Sequence, residues 1–201
     1  MRKDAFSIII PAYKTERLLK KLLNELLRQR EEFPQTQIIV VDDGSEMAWL
    51  DEYPIVTIHQ ENKGEAGARN TGLRHADGEY LAWVDADDMV VSDYLKTIYE
   101  NARKGYDLVI YDWVTQNGTK GYKWEPDFPN HNVWSYTYRR ENITEEFDER
   151  IQYSCDIYWL KKHFRPEWTR LTVDKVIGIC NDRNDDSMTA RYRRGELNVW
   201  K

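Results

Sequence analysis

Two periodicities alternate along the first hundred residues. Phe6-Ser-Ile-Ile-Ile10 is a short β-branched run closed by Pro11, which predicts a strand. From Glu16 to Arg30, leucines stand at 18, 19, 22, 23, 26 and 27, the stripe of an amphipathic helix, with Thr15 placed as its N-cap. Ile38-Ile-Val-Val41 is a second apolar run and Pro54-Ile-Val-Thr-Ile58 a third. After the turn at Asn62-Lys63-Gly64, residues 65–76 predict a helix. Residues 80–84 form a fourth apolar run, residues 92–103 a further helix with Gly105 past its end, and Asp107-Leu-Val-Ile-Tyr111 a fifth strand. Runs that are apolar throughout and separated by helices predict parallel strands covered on both faces. The expected fold is therefore α/β, a mostly parallel sheet flanked by helices.

Beyond residue 112 the pattern loosens. Asn117-Gly118 is a strong turn signal, and Pro126 and Pro129 speak for a loop over residues 124–132. A short helix is expected around residues 154–163, and Val173 to Ile179 reads equally as strand or helix. Six of the eight tryptophans lie past residue 110, where core or lid packing is the ordinary use of such rings. The expected organisation is one domain, with residues 1–112 as its α/β half and residues 113–201 as a smaller, irregular segment.

Composition narrows the function classes. A chain of 201 residues with 41% hydrophobic and 32% charged residues has a soluble globular balance. The formal net charge is −6, and from Arg139 onward 13 Lys/Arg face 12 Asp/Glu, so the acidic excess lies in the first part. That argues against a general nucleic-acid binder, which would present a basic face. No apolar run is long enough for a transmembrane segment, and there is no signal-peptide pattern. Cys155 and Cys180 lack metal-ligand spacing, and a reducing compartment, the cytoplasm, is the simpler expectation.

The most chemically loaded stretch is Tyr80-Leu-Ala-Trp-Val-Asp85-Ala-Asp87-Asp88, an apolar strand ending in three carboxylates within four residues. An oxygen-only cluster at a strand's carboxyl end suits a hard cation such as Mg²⁺ or Mn²⁺. In open α/β sheets, ligands bind in the crevice outside the carboxyl ends of the strands. Pro11-Ala12-Tyr13, Asp42-Asp43-Gly44-Ser45 and Asp85-Ala86-Asp87-Asp88 each follow a strand directly, so their chemistry is expected to converge on one edge.

Four motifs then resemble a known family in order and spacing: Ser7-Ile-Ile-Ile-Pro-Ala-Tyr13, Val40-Val-Asp-Asp-Gly-Ser45, Asn62-Lys-Gly-Glu-Ala-Gly-Ala-Arg-Asn-Thr-Gly72 and Val84-Asp-Ala-Asp-Asp88. They resemble the family 2 glycosyltransferases, inverting enzymes of GT-A fold with a Rossmann-like nucleotide-binding half. The similarity continues more weakly in Val133-Trp-Ser-Tyr-Thr-Tyr-Arg-Arg140 and in Arg183-Asn-Asp-Asp-Ser-Met-Thr189.

The resemblance implies a nucleotide-sugar donor, a UDP-sugar foremost, a hydroxyl acceptor (a glycan, a lipid-linked glycan, a protein or a modified nucleobase) and Mn²⁺ or Mg²⁺ as cofactor. It places Pro11 and Tyr13 at the donor, Tyr13 packing on the nucleobase. Asp42 is similar to the carboxylate that accepts from the base edge, which suits a uracil or guanine N–H. Asp43 either touches ligand or caps the turn through Gly44-Ser45. Arg69 resembles the cation near the diphosphate. Asp85 and Asp87 are the ends of the Asp-x-Asp motif, Asp87 on the metal and Asp85 on the donor ribose, the metal or both. Asp88 is either a supporting partner or the cap of the next turn.

On the acceptor side the resemblance departs from the pattern. Many relatives carry Glu-Asp, whose aspartate is the general base; here the match is Cys155-Asp156, which makes Asp156 the expected catalytic base. A competing alignment puts the base at Asp148 or Glu149. His131 and His163 are expected in surface or packing roles. The alternatives to transfer are an inactive sugar-nucleotide or glycan-binding module and a sugar nucleotidyltransferase. The latter would want a glycine-rich loop after the first strand, and Pro11-Ala-Tyr-Lys-Thr15 has no glycine.

Overall fold

The computed structural model describes residues 1–121, 133–181, 188–196 and 199. Its parallel core is β1 (Arg2–Ala12), β2 (Gln37–Asp43), β3 (Val56–Gln60) and β4 (Gly78–Trp83), linked by α1 (Glu16–Arg30) and α2 (Glu65–His75). After it come β5 (Met89–Val90), α3 (Tyr94–Ala102), β6 (Leu108–Thr115), β7 (Tyr136–Arg139), α4 (Cys155–His163), β8 (Arg170–Cys180) and α5 (Met188–Arg193). Among the described residues these strands form one eight-stranded sheet of order β3-β2-β1-β4-β7-β6-β8-β5.

Alternation along β1 builds two cores. Phe6, Ile8 and Ile10 point to one face, where they meet Leu19, Leu22, Leu23 and Leu26 of α1 and Leu95 and Ile98 of α3. Ile9 points to the other face with Ile39, Val41, Leu81 and Trp83, covered by Ala66, Ala68 and Leu73 of α2 and by Trp159 and Leu160 of α4. Burial on both faces explains why the strands read as unbroken apolar runs. Thr15 does precede α1, and its carbonyl accepts from the amides of Leu18 and Leu19, but its hydroxyl makes no capping bond.

The sheet is not parallel throughout. β7, which the sequence pattern did not mark as a strand, lies antiparallel between β4 and β6, pairing Leu81 with Tyr138 and Val109 with Thr137. The ambiguous segment near Val173 is a strand, β8, parallel to β6 and joined at its end to β5. The third strand runs two residues later than its pattern at both ends, because Pro54 and Ile55 belong to the turn leaving a 3₁₀ segment at Ala48–Glu52. The loop with Pro126 and Pro129, His131, and most of the Arg183 to Thr189 element lie outside the described residues.

Candidate active site

The parallel register brings the carboxyl ends of four strands to one edge: Ala12 is level with Asp42, Asp42 with His59, and Ile9 with Trp83. Tyr13, just past β1, is 40% exposed there, with the Lys14 ammonium 4.9 Å from its ring centre. Lys14 takes a positive φ of 53°, and its amide donates to Ser45 Oγ at 2.8 Å, tying the loop after β1 to the loop after β2. Pro11 is the penultimate residue of β1, level with Val41.

The two aspartates ending β2 serve different loops. Asp42, 1% exposed, accepts from the amides of Ser45 (2.9 Å) and Met47 (2.8 Å) and from His59 Nδ1 (3.0 Å). Burial works against its charge, but these hydrogen bonds outweigh it and hold the carboxyl below the usual range. Asp42 also raises the His59 imidazole above its ordinary pKa. Capping of the turn through Ser45, one of the two roles open to Asp43, therefore falls to Asp42. Asp43 instead accepts from the amides of Lys63 (2.9 Å) and Gly64 (2.8 Å) and from Gln60 Nε2 (2.6 Å). It holds the turn that enters α2, where Gly64 takes the φ of 84° that a side chain would resist.

Arg69 is the hub of the site. Its guanidinium is 1% exposed, and Nη2 reaches Glu65 Oε1 at 2.6 Å and Asp85 Oδ1 at 2.8 Å. Nη1 points at Cys155 Sγ, 3.3 Å away, and the group lies 5.6 Å from the centre of the Phe147 ring. So Arg69 joins three elements, α2, the end of β4 and the start of α4, and its positive charge is spent inside the protein. Asp156, 9% exposed, accepts from the Val133 amide at 3.3 Å. Burial raises its pKa, Arg69 opposes that shift, and the Asp85 charge reinforces it. Glu65 is pushed up to about 7 by burial, against the pull of Arg69 and with the help of Asp85 and Asp156. Ser154, in the left-handed conformation at φ 62°, turns the chain so that Cys155 and Asp156 open α4 facing this cluster.

The loop after β4 carries the remaining carboxylates. Asp85 keeps 29% of its side chain exposed, with Oδ1 committed to Arg69. Asp88 is 5% exposed and accepts from the Asn181 amide at 2.7 Å, so it anchors the end of β8. Burial and the neighbouring Asp85 and Asp87 charges keep its pKa well above the carboxylate norm. Among the described residues no three His, Cys, Asp or Glu side chains form a ready-made metal cage. The donor set still fits Mg²⁺ or Mn²⁺, which are commonly held by one or two carboxylates, with water and substrate phosphate completing the shell. Asp85 and Asp87 are such a pair.

The competing base candidates are engaged elsewhere. Asp148 is clasped by Arg150 at 2.6 Å, which lowers its pKa to about 2. Glu149 accepts from Asn70 Nδ2 at 3.0 Å. Asn70 also exchanges hydrogen bonds with both backbone groups of Phe147, pinning this segment to α2. His163 is buried and stacked on Trp159, 4.3 Å between ring centres, a packing role. Sequence reasoning passed over Glu65, although its place four residues before Arg69 on a helix is a readable pairing signal. It also passed over His59, for which alternation along β3 offers no signal.

The glycosyl transferase family 2 profile matches residues 7–164. Glycosyltransferase GlyA of Streptococcus pneumoniae is 33% identical over 59% of this chain, which spans 18% of that protein's length. The uncharacterized glycosyltransferase EpsJ of Bacillus subtilis is 29% identical over 91% of this chain, which spans 62% of it. Among solved structures, residues 1–349 of Staphylococcus aureus TarS in complex with UDP-GlcNAc superpose with a TM-score of 0.78 at 21% identity, covering 92% of this chain and 61% of that one. The mannosyltransferase PcManGT of Pyrobaculum calidifontis, in complex with GDP-Man and Mn²⁺, superposes at 0.68 with 20% identity over 95% of this chain and 61% of its own. The sheet curled between helices is the GT-A fold, and the chain belongs to glycosyl transferase family 2.

Proposed function

We propose that this chain transfers a sugar from a UDP-sugar to a hydroxyl acceptor with inversion, assisted by a divalent metal. The observation that carries the reading is the Arg69 hub, which couples Asp85 at the end of β4 to the start of α4, where Asp156 stands. Donor-side and acceptor-side carboxylates are thus held in one buried charge network. The TarS complexes with UDP and UDP-GlcNAc and the PcManGT complex with GDP-Man and Mn²⁺ support a nucleotide-sugar donor and a metal on this fold.

In this mechanism the exposed Tyr13 ring is the platform for the base. The remaining acceptor capacity of Asp42, with Pro11 beside it, meets the base edge. Asp85 and Asp87 would hold Mn²⁺ or Mg²⁺, which supplies Lewis-acid neutralisation of the diphosphate. Arg69 orients Asp85 rather than lying on the phosphates. Asp156 takes the proton from the acceptor hydroxyl as that oxygen attacks the anomeric carbon from the face opposite the diphosphate. Its raised pKa suits a base working near neutrality.

The test is UDP release from a panel of UDP-sugars with Mn²⁺ and glycan acceptors, beside calorimetric binding of UDP. Wild type is expected to bind UDP in a Mn²⁺-dependent manner and to release UDP on turnover. Asp87→Asn should lose both while melting at or above the wild-type temperature, since a like charge is removed. Full metal-dependent binding in Asp87→Asn would sink the metal assignment. Sugar-nucleotide binding that never releases UDP would favour a binding module instead.

A further inference from the structure

We propose that Glu65 is a positioning residue of the cation-binding loop: by sharing Arg69 Nη2 with Asp85, it leaves Asp85 enough negative charge to hold a divalent cation. This rests on the reading of Asp85 as a cation-side carboxylate. Nη2 lies against one oxygen of each residue, 2.6 Å from Glu65 in an ion pair and 2.8 Å from Asp85 in a hydrogen bond. The other arm of the fork, Nη1, faces the Cys155 sulfur at 3.3 Å. A buried thiol brings no charge, because burial and the nearby carboxylates keep it protonated. Among the described residues Nε has no hydrogen-bond partner. The positive charge of Arg69 is therefore divided between two carboxylates in direct ion-pair contact with it.

Removing the charge at 65 gives the whole guanidinium to Asp85. A carboxylate so tightly paired is a poorer ligand for a metal, while the site as a whole becomes less negative and less hostile to a bare diphosphate. Glu65 and Arg69 lie one helical turn apart on α2, so the sharing is set by backbone geometry. Residues that orient a metal ligand typically change metal affinity by about 10–100-fold when altered.

The experiment is calorimetric titration at pH 8, where Glu65 is ionised, of UDP into the full chain, once with Mn²⁺ and once with chelator, for wild type, Glu65→Gln, Glu65→Asp and the double variant Glu65→Gln/Cys155→Asp. Glu65→Gln should weaken Mn²⁺-dependent UDP binding by about 10–100-fold and leave metal-free UDP binding unchanged or tighter. Glu65→Asp, which keeps the charge but withdraws it from Nη2, should fall between. Cys155→Asp, placing a carboxylate within reach of Nη1, should recover most of the Mn²⁺-dependent affinity. Equal losses with and without Mn²⁺, tracking a lower melting temperature, would mean a merely structural Glu65 and overturn the proposal, as would wild-type affinity in Glu65→Gln. Wild-type UDP binding that Mn²⁺ does not strengthen would overturn the underlying reading of Asp85 and the proposal with it.

Discussion

Replacing Arg69 with Met keeps the length and apolar stem of the side chain but removes the charge at the centre of the site. The variant strands Glu65 and Asp85, ion-paired to Arg69 at 2.6 and 2.8 Å in the wild type, with Asp156 nearby. Breaking a buried pair by removing one partner is destabilising by about 3–5 kcal/mol. Glu65 and Asp85 keep 23% and 29% of their side chains exposed, so water can partly solvate them. The expected loss is therefore near the lower bound, about 3 kcal/mol. With a urea m-value of about 2–3 kcal/mol/M, the midpoint should drop by roughly 1–1.5 M.

The assay is urea denaturation followed by tryptophan fluorescence, since Trp83 is fully buried against Tyr138, Phe147 and Trp159. A second arm at lower pH tests the cause. Glu65 has a folded pKa of about 7 against 4.5 when unfolded, so the native state holds a proton the unfolded chain has shed. That contribution to stability is present below about pH 4.5 and lost as pH rises through 7. In Arg69→Met, Glu65 loses the charge that opposes its raised pKa and protonates more readily still, so the gap from wild type should narrow between pH 8 and pH 5.5. An unchanged midpoint, or a gap that widens on acidification, would refute the charge-hub account.

Two further outcomes are expected. Asp156→Asn should keep Mn²⁺-dependent UDP affinity but lose transfer by about 10²–10⁴-fold in a coupled UDP-release assay with acceptor; normal transfer in this variant, with loss in Asp148→Asn or Glu149→Gln, would move the base upstream. Asp43→Ala removes the acceptor for the amides of Lys63 and Gly64, and leaving such donors unpaired should lower stability by about 2–4 kcal/mol in thermal or urea melts; a loss below about 0.5 kcal/mol would mean that the turn into α2 holds itself.

Much of this architecture was legible because its strands are buried on both faces. The runs at 38–41 and 80–84 are apolar without interruption, that at 6–10 is broken only by Ser7, and the leucine stripe of α1 admits one reading. β7 was not legible, since Tyr136-Thr-Tyr-Arg139 is only four residues long and is flanked by 3₁₀ turns. Its place between β4 and β6 is decided by tertiary pairing. The loop after β2 shows a different limit. Adjacent residues of a strand point to opposite faces, so Asp42 and Asp43 were bound to serve different partners. Which aspartate takes the Ser45 turn depends on how the following loops fold back, and no local pattern encodes that. At Arg69 the residue type was informative and the depth was not: the motif does not say how deep an arginine lies, and this one is 1% exposed.

The order of strands in space also bears on how far the chain can be divided. β7 separates β4 from β6, and β8 flanks β6 on its other side. A fragment ending at residue 112 would keep the carboxylates at 42, 43, 85 and 87 but leave β4 with a bare hydrogen-bonding edge and β6 with no neighbour. Such an edge, lined by Leu81 and Trp83, invites pairing between chains. Asp88 would lose the amide of Asn181, nearly a hundred residues downstream, that holds the acidic loop to β8. The half up to residue 112 is thus a region of one sheet rather than a detachable module. Its acidic loop after β4 is held by chain made many residues later, so a nascent polypeptide can complete this loop only after β8 has left the ribosome.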